Sequence, residues 1–306
     1  SCLAYYGGSP YFACFGGTRE GNPDVSIFIH HNGNNVITGL GDSLPRWNPI
    51  LHVVNDKLFL WEKAGLFCDR WQTFLIDISD LEFDRNKEWH PSRRIIPAGL
   101  NGPVKTKPLN FEIKDTCRHI YCGSSVETAL NWTSYIEVFD YNFDYIARSK
   151  PLSFGINEFK HGVIQPSLWM DDEHTMHAFF RSSRDIGKIC YSKCNMNNDT
   201  LYLEWSDPIE TEFKNPNSGI DTVFYNGDLY LIHNPSDVCR YPLVLSKLNK
   251  KFEIEDEIII KDKVSNGIDV SLSHELSYPY MIEHNGQLHL TYTYGRTKIM
   301  YVVIEV

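Results

Sequence analysis

Short apolar stretches that alternate with polar positions run through the whole chain, with a period of two. Val25-Ser26-Ile27-Phe28-Ile29, Lys57-Leu58-Phe59-Leu60-Trp61, Tyr135-Ile136-Glu137-Val138-Phe139 and Gln287-Leu288-His289-Leu290-Thr291-Tyr292 are examples. They are rich in β-branched and aromatic residues and read as strands with one face buried. No stretch carries a convincing amphipathic helical period. The fold class predicted is all-β.

A repeat emerges when the chain is compared with itself. Six segments share an apolar strand, a two-residue polar or glycine turn, and a second apolar strand. The turns are Gly7-Gly8, Asn55-Asp56, Lys114-Asp115, Asp171-Asp172, Asn226-Gly227 and Asn285-Gly286, spaced by 48, 59, 57, 55 and 59 residues. Such pairs suit tight hairpins because they tolerate positive φ. A third strand follows in each segment, at Val25–Ile29, Phe74–Ile78, Tyr135–Phe139, Ile189–Lys193, Leu243–Lys247 and Ile299–Ile304. A fourth is expected in most. Six four-stranded units of this length predict a six-bladed β-propeller occupying residues 1–306 as a single domain. The competing fold is a β-sandwich with accidental periodicity.

In a propeller, the loops between the second and third strands of each blade open on the same face as the links between blades. That face collects the unusual residues, where functional groups on rigid scaffolds commonly sit. Arg19, Lys105, Arg181, Arg240 and Arg296 come from five different blades and are expected to converge near the axis. Converging cations suit a carboxylate, which a guanidinium binds bidentately, and suit sulfate or phosphate less well. Asn217 and Asp221 lie in one of the interblade links and join these as substrate-binding candidates. Asp24, Glu127, Asp221 and Glu275 add carboxylates to the same rim, and a pair of them is the equipment of glycosidic acid–base chemistry. Glu20 is expected to pair with its neighbour Arg19. Tyr278, between Ser277 and Pro279, is a candidate nucleophile. Trp47, Trp71 and Trp132 are candidates for stacking on a sugar or for the blade core.

Charge and composition narrow the classes. The net charge is −10 and charged residues make up 22 % of the 306 residues. This argues against a nucleic-acid-wrapping surface and for a globular chain. No apolar run reaches the roughly 18 residues of a membrane span. No phosphate loop, dinucleotide glycine fingerprint or nucleophile elbow is present. No metal or cofactor is expected, because the eight cysteines lack zinc spacings, and buried free thiols are expected instead. Asn131-Trp132-Thr133 and Asn198-Asp199-Thr200 are N-glycosylation sequons, used only in a eukaryotic secretory setting.

Several loops together resemble the sialidase superfamily, in particular its BNR-repeat-like branch. They are Phe15–Asp24, Gly102–Pro108, Ile164–Ser167, Asn215–Asp221, Ser277–Pro279 and Thr291–Arg296, in order along the chain. The resemblance implies a six-bladed propeller and glycan chemistry in a secreted or lumenal setting. It puts Asp24 at the place of the acid/base, and Arg181 and Arg240 at the second and third positions of a carboxylate-gripping arginine triad. Tyr278 falls at the place of the nucleophile. Two departures stand out. Ser1–Ala4 offers no first triad arginine, and Gln165 stands where a glutamate should activate the tyrosine. Gln accepts no proton at neutral pH, so Glu127 or Glu275 would have to replace it. The leading expectation is an exo-glycosidase releasing a terminal acidic sugar, sialic or uronic acid. The alternatives are a glycan-binding propeller that lost the chemistry and a polysaccharide lyase acting on uronic acid. A protein-interaction scaffold ranks last, since it needs an exposed apolar rim and the rim loops read as polar.

Overall fold

In the computed structural model, residues 1–38, 44–83, 91–113, 117–154, 161–195, 201, 203–264 and 274–306 are described. They form six antiparallel sheets arranged as a six-bladed β-propeller, five of four strands and one of three. Blade 1 is β1 (Cys2–Tyr6), β2 (Ser9–Gly16), β3 (Ser26–His31) and β4 (Asn34–Thr38). Blade 2 is β5 (Arg46–Val54), β6 (Lys57–Ala64), β7 (Gln72–Asp77) and β8 (Arg94–Ile95), with a 3₁₀ turn at Cys68–Arg70. Blade 3 is β9 (Leu109–Ile113), β10 (Cys117–Glu127), β11 (Trp132–Asp140) and β12 (Tyr145–Arg148). Blade 4 is β13 (Val163–Met170), β14 (Thr175–Ser182), β15 (Lys188–Asn195) and β16 (Ile209–Lys214). Blade 5 is β17 (Asp221–Tyr225), β18 (Asp228–His233), β19 (Leu243–Leu248) and β20 (Ile254–Lys261). Blade 6 is β21 (Leu276–His284), β22 (Gln287–Tyr294) and β23 (Lys298–Glu305).

The periodic signals of the sequence are local and survive folding. All six expected third strands are there, as β3, β7, β11, β15, β19 and β23. Four of the expected turns have positive φ at both residues: Gly7-Gly8, Asn55-Asp56, Asn226-Gly227 and Asn285-Gly286. Such turns match the twist of the strands they join. Lys114-Asp115 lies outside the described residues, as does Asn198. The Asp171-Asp172 turn departs from expectation. It spans four residues between β13 and β14, because Asp171 Oδ1 accepts the amides of Glu173 (2.9 Å) and Thr175 (2.8 Å) and closes a wider loop. The same device closes turns after third strands. Asp140 takes the amides of Asn142 and Asp144, and Asn249 those of Lys251 and Glu253.

The core lies between neighbouring blades rather than inside any one of them. Ile50, Leu60 and Trp61 pack with Ile27 of blade 1 and Phe139 of blade 3, and Phe180 and Cys190 of blade 4 pack with Val138 of blade 3. Blades 5 and 6 share Ile232, Leu245, Met281 and Leu290. The ring closes between blades 6 and 1 through Tyr5, which stacks on His284 at 3.8 Å and bonds the Tyr301 hydroxyl at 3.2 Å. Cys2, Cys14, Cys68, Cys122, Cys190, Cys194 and Cys239 are free thiols.

Three inner strands share one irregularity at the rim. Asn48-Pro49, Gln165-Pro166 and Tyr278-Pro279 are bulged out of register with the next strand. The residue before each proline has φ of 42°, 55° and 51°, respectively. A bulge re-aims a side chain, and proline fits there because it has no amide to pair. Lys105 and Asn217, in the links to blades 3 and 5, also have positive φ. Non-glycine residues avoid this region, and such backbone strain gathers at sites of function.

Candidate functional site

A pocket of about 370 Å³ opens on this rim. The bulges supply Asn48, Gln165 and Tyr278 to it. The loops between second and third strands supply Glu20, Gly21, Leu66, Cys68, Trp71, Glu127, Arg240 and Arg296, and strand ends supply Phe15, Trp47 and Arg181. Both kinds of rim segment thus converge, as blade geometry requires.

Arg181 is the pivot of the site. It is only 7 % exposed, yet it lines the pocket. Its Nε donates to Asn217 Oδ1 (2.8 Å) and its Nη1 to Gln165 Oε1 (3.1 Å). Its guanidinium also lies 5.9 Å from the Trp132 ring centre. Both hydrogen-bond partners are neutral amides. Among the described residues no carboxylate lies within ion-pair distance of Arg181, and Glu127 acts on it only through a longer-range charge interaction. Gln165, which cannot serve as a base, here fixes the arginine.

The other arginines are differently placed. Arg240 Nη2 donates to the Asn217 carbonyl at 2.9 Å, and its Nη1 lies 3.4 Å from Glu275 Oε2. Arg240 also sits 5.8 Å from the Tyr278 ring centre. Arg296 bridges Glu275 (3.0 Å) and Glu20 (3.0 Å). Glu20 therefore pairs with Arg296 across the closure of the ring, and not with Arg19 as sequence adjacency suggests. Glu275 carries two arginines and the Ser277 hydroxyl.

Glu127 is different. Burial raises its carboxyl above the usual range; Arg181 opposes the shift and the charge of Glu20 adds to it. Cys68 Sγ donates to the Glu127 carbonyl at 3.2 Å, tying the loop of blade 2 to that of blade 3. On the opposite wall Trp47 stacks with Trp71 (6.2 Å, 25°) and meets Phe15 edge-on, and its indole Nε1 donates to Gly65 O at 2.8 Å.

Six candidate residues lie away from the pocket lining: Asn217 and Glu275, which bond its arginines, and Asp24, Arg19, Lys105 and Asp221. Asp24 is exposed in its loop, where it accepts the Thr18 amide at 2.8 Å; that bond holds its carboxyl below the usual range. Arg19 is exposed in the same loop. Lys105 is buried nearer the axis, donating to the carbonyls of Ile220 and Pro279, and burial lowers its ammonium to about 7. Asp221, fully buried, accepts from Lys107 Nζ (2.8 Å), Ser167 Oγ (2.7 Å) and the Met281 amide (2.8 Å). Lys105 and Asp221 thus brace blades against one another. Asn217 acts through Arg181 and Arg240. Among the described residues no cluster of His, Cys, Asp or Glu is arranged to hold a metal ion, and no helix is long and apolar enough to cross a membrane.

Sequence reasoning passed over Asn48, Leu66 and Cys68, and gave Glu20 only a pairing role. Asn48 alone had a signal, an X-Pro link equivalent to those of Gln165 and Tyr278. The rim is also less polar than it reads: Leu66, Phe67 and Leu130 are 54 %, 64 % and 87 % exposed.

The fold is shared with solved propellers. A protein of unknown function from Dyadobacter fermentans superposes with a TM-score of 0.70 at 11 % identity, over 100 % of this chain and 93 % of that one. The Penicillium chrysogenum α-L-arabinanase complexed with arabinobiose gives 0.63 at 10 % identity, over 99 % and 92 %. The Hadza microbial sialidase Hz136 gives 0.60 at 9 % identity, over 100 % and 65 %. No curated protein matches in sequence. Residues 8–290 match the BNR repeat-like domain. The chain belongs to that family.

Proposed function

We propose that the rim pocket captures the carboxylate-bearing terminal sugar of a glycan, a sialic or uronic acid. One observation carries this reading: Arg181 lines the pocket with no ion-pair partner among the described residues, oriented by the neutral oxygens of Gln165 and Asn217. A nearly buried guanidinium without an anion is unfavourable by itself, and a ligand carboxylate supplies the missing partner through paired, charge-assisted bonds. Trp47 and Trp71 offer a face for the apolar side of the ring. That propellers of this shape include an arabinanase and a sialidase agrees with a sugar as the ligand.

The test is calorimetric titration with the methyl glycosides of N-acetylneuraminic acid and glucuronic acid, against neutral methyl glucoside. Saturable binding of an acidic glycoside that weakens with salt is expected; equal binding of the neutral sugar would remove the carboxylate from the argument. Affinity should rise as pH is lowered from neutral. The raised carboxyl of Glu127 takes up its proton in that direction and stops competing for Arg181, while the ligand carboxylate stays ionised. Glu127→Gln should flatten this dependence.

Cleavage is the second reading, favoured by Glu127 and Tyr278 lining one pocket. A carboxyl with a raised pKa suits the donor of a proton to the leaving oxygen, and a phenol suits the nucleophile. Against turnover stand the placement of Asp24, exposed and away from the pocket lining, and the two arginines that hold Glu275. On this reading Tyr278→Phe abolishes release of free acidic sugar, measured by mass spectrometry, with an unchanged melting curve. Wild-type binding without product identifies a lectin-like propeller.

A further inference from the structure

The two walls of the pocket differ in chemistry, and one continues beyond its edge. Blades 4 to 6 contribute the arginines and Glu275, which pairs with two of them, while Glu20 reaches Arg296 from blade 1. Blades 1 and 2 contribute Phe15, Trp47, Leu66 and Trp71. Leu66 is both a lining residue and 54 % exposed; Phe67 beside it is 64 % exposed, and Leu130, on the neighbouring hairpin of blade 3, is 87 % exposed.

These side chains project from turns with defined bonding. The Gly65 amide donates to Pro45 O at 3.2 Å, and the Arg70 amide donates to Phe67 O at 3.0 Å to close the 3₁₀ turn. On the blade 3 hairpin, Thr128 donates its amide to Asn131 O (2.9 Å), while its Oγ1 accepts the amides of Leu130 (3.3 Å) and Asn131 (2.9 Å). The bond from Cys68 Sγ to Glu127 O joins the two loops. A single exposed leucine is ordinary, but three large exposed apolar residues on two joined loops, one of them lining the pocket, mark a binding surface.

The chemistry of that surface selects its occupant. The leucines offer neither a partner to sugar hydroxyls nor a flat ring for a sugar face, and pressing an unpaired hydroxyl against them is unfavourable. A second sugar ring therefore fits poorly where the chain of the glycan would leave the pocket on this side. We infer that the ligand is a glycoconjugate whose acidic sugar is joined directly to an apolar alkyl or aryl aglycone, and that Leu66, Phe67 and Leu130 form the aglycone subsite. This rests on reading the pocket as an acidic-sugar site. The sugar carboxylate goes to Arg181 on the charged wall, and the aglycone leaves across the apolar lip.

The experiment compares octyl and methyl glycosides of N-acetylneuraminic and glucuronic acid by calorimetry below the micelle concentration. The octyl form of the preferred sugar should bind about tenfold more tightly, which corresponds to about 1.4 kcal/mol. In the Phe67→Ser/Leu130→Ser variant the octyl-to-methyl ratio should fall to within about twofold of one, because less apolar surface is left to bury. Equal affinities for the two glycosides in the wild type overturn the aglycone subsite and leave the pocket reading standing. Absence of binding by all acidic glycosides overturns both. Binding to neutral phosphatidylcholine vesicles as tightly as to vesicles carrying the glycoside reassigns the lip to a membrane surface and also overturns the proposal.

Discussion

Replacing Arg181 with Met is expected to weaken binding of the acidic glycoside by about 100-fold while leaving the fold in place. Truncating one partner of a buried, charge-assisted pair lowers affinity by about 2–5 kcal/mol, that is, roughly 30-fold or more. The lower part of that range applies here because Arg240 remains nearby to attract the ligand. Methionine keeps much of the aliphatic volume against Trp132, and it removes no ion pair seen among the described residues, since the partners of Arg181 are the neutral Gln165 and Asn217. A melting temperature close to wild type separates this outcome from unfolding. Arg181→Lys should recover only part of the loss. Lysine restores the charge without the planar fork that engages Gln165, Asn217 and a carboxylate together. An unchanged dissociation constant in Arg181→Met would take the arginine, and with it the carboxylate, out of the recognition scheme.

The architecture was legible because its signals are local. A two-residue turn such as Asn226-Gly227 specifies a hairpin from its own backbone preferences, and an alternating run such as Tyr135–Phe139 specifies a face. Repeating both six times leaves few closed arrangements. The rim was legible too, since blade geometry assigns loops to faces, and Gln165, Arg181, Arg240, Tyr278, Glu127 and Arg296 do share the pocket. What could not be read is how a side chain on the rim is used. Arg296 meets Glu20 across 276 residues of chain. Lys105 looks like a rim cation but reaches inward to backbone carbonyls of blades 5 and 6. Asp221 is drawn under the rim by Lys107, Ser167 and the Met281 amide, which arrive from three other blades. The exposed Leu66, Phe67 and Leu130 sit in loops punctuated by Gly, Cys, Thr and Asn that read as polar. Their exposure depends on turns whose bonding is visible only in three dimensions.

A large loss of stability is expected from a single methyl group, in Gly123→Ala. Gly123 lies on β10 where blade 3 meets the bulge of blade 4, and a Cβ there would stand 2.3 Å from the carbonyl oxygen of Pro166. The obstacle is backbone, so no rotamer change relieves it. The same carbonyl accepts Thr106 Oγ1 at 2.5 Å, and Gly123 O accepts the Val104 amide at 2.8 Å, so neither side is free to retreat. Overpacking of this kind destabilises by about 1–3 kcal/mol, and the upper end applies to a rigid contact. For a chain of this size a loss of about 3 kcal/mol corresponds to a fall in Tm of roughly 6 °C. Gly16→Ala is the matched control, since its nearest neighbour is the mobile Phe28 ring at 3.3 Å and its φ is unremarkable; it should shift Tm by no more than about 2 °C. The displacement also reaches the site. Pro166 follows Gln165, whose amide holds Arg181, so Gly123→Ala should loosen anion binding as well as the blade interface. Wild-type values of both Tm and affinity in this variant would mean that blades 3 and 4 are not packed through this contact and that the Gln165 bulge is held from elsewhere.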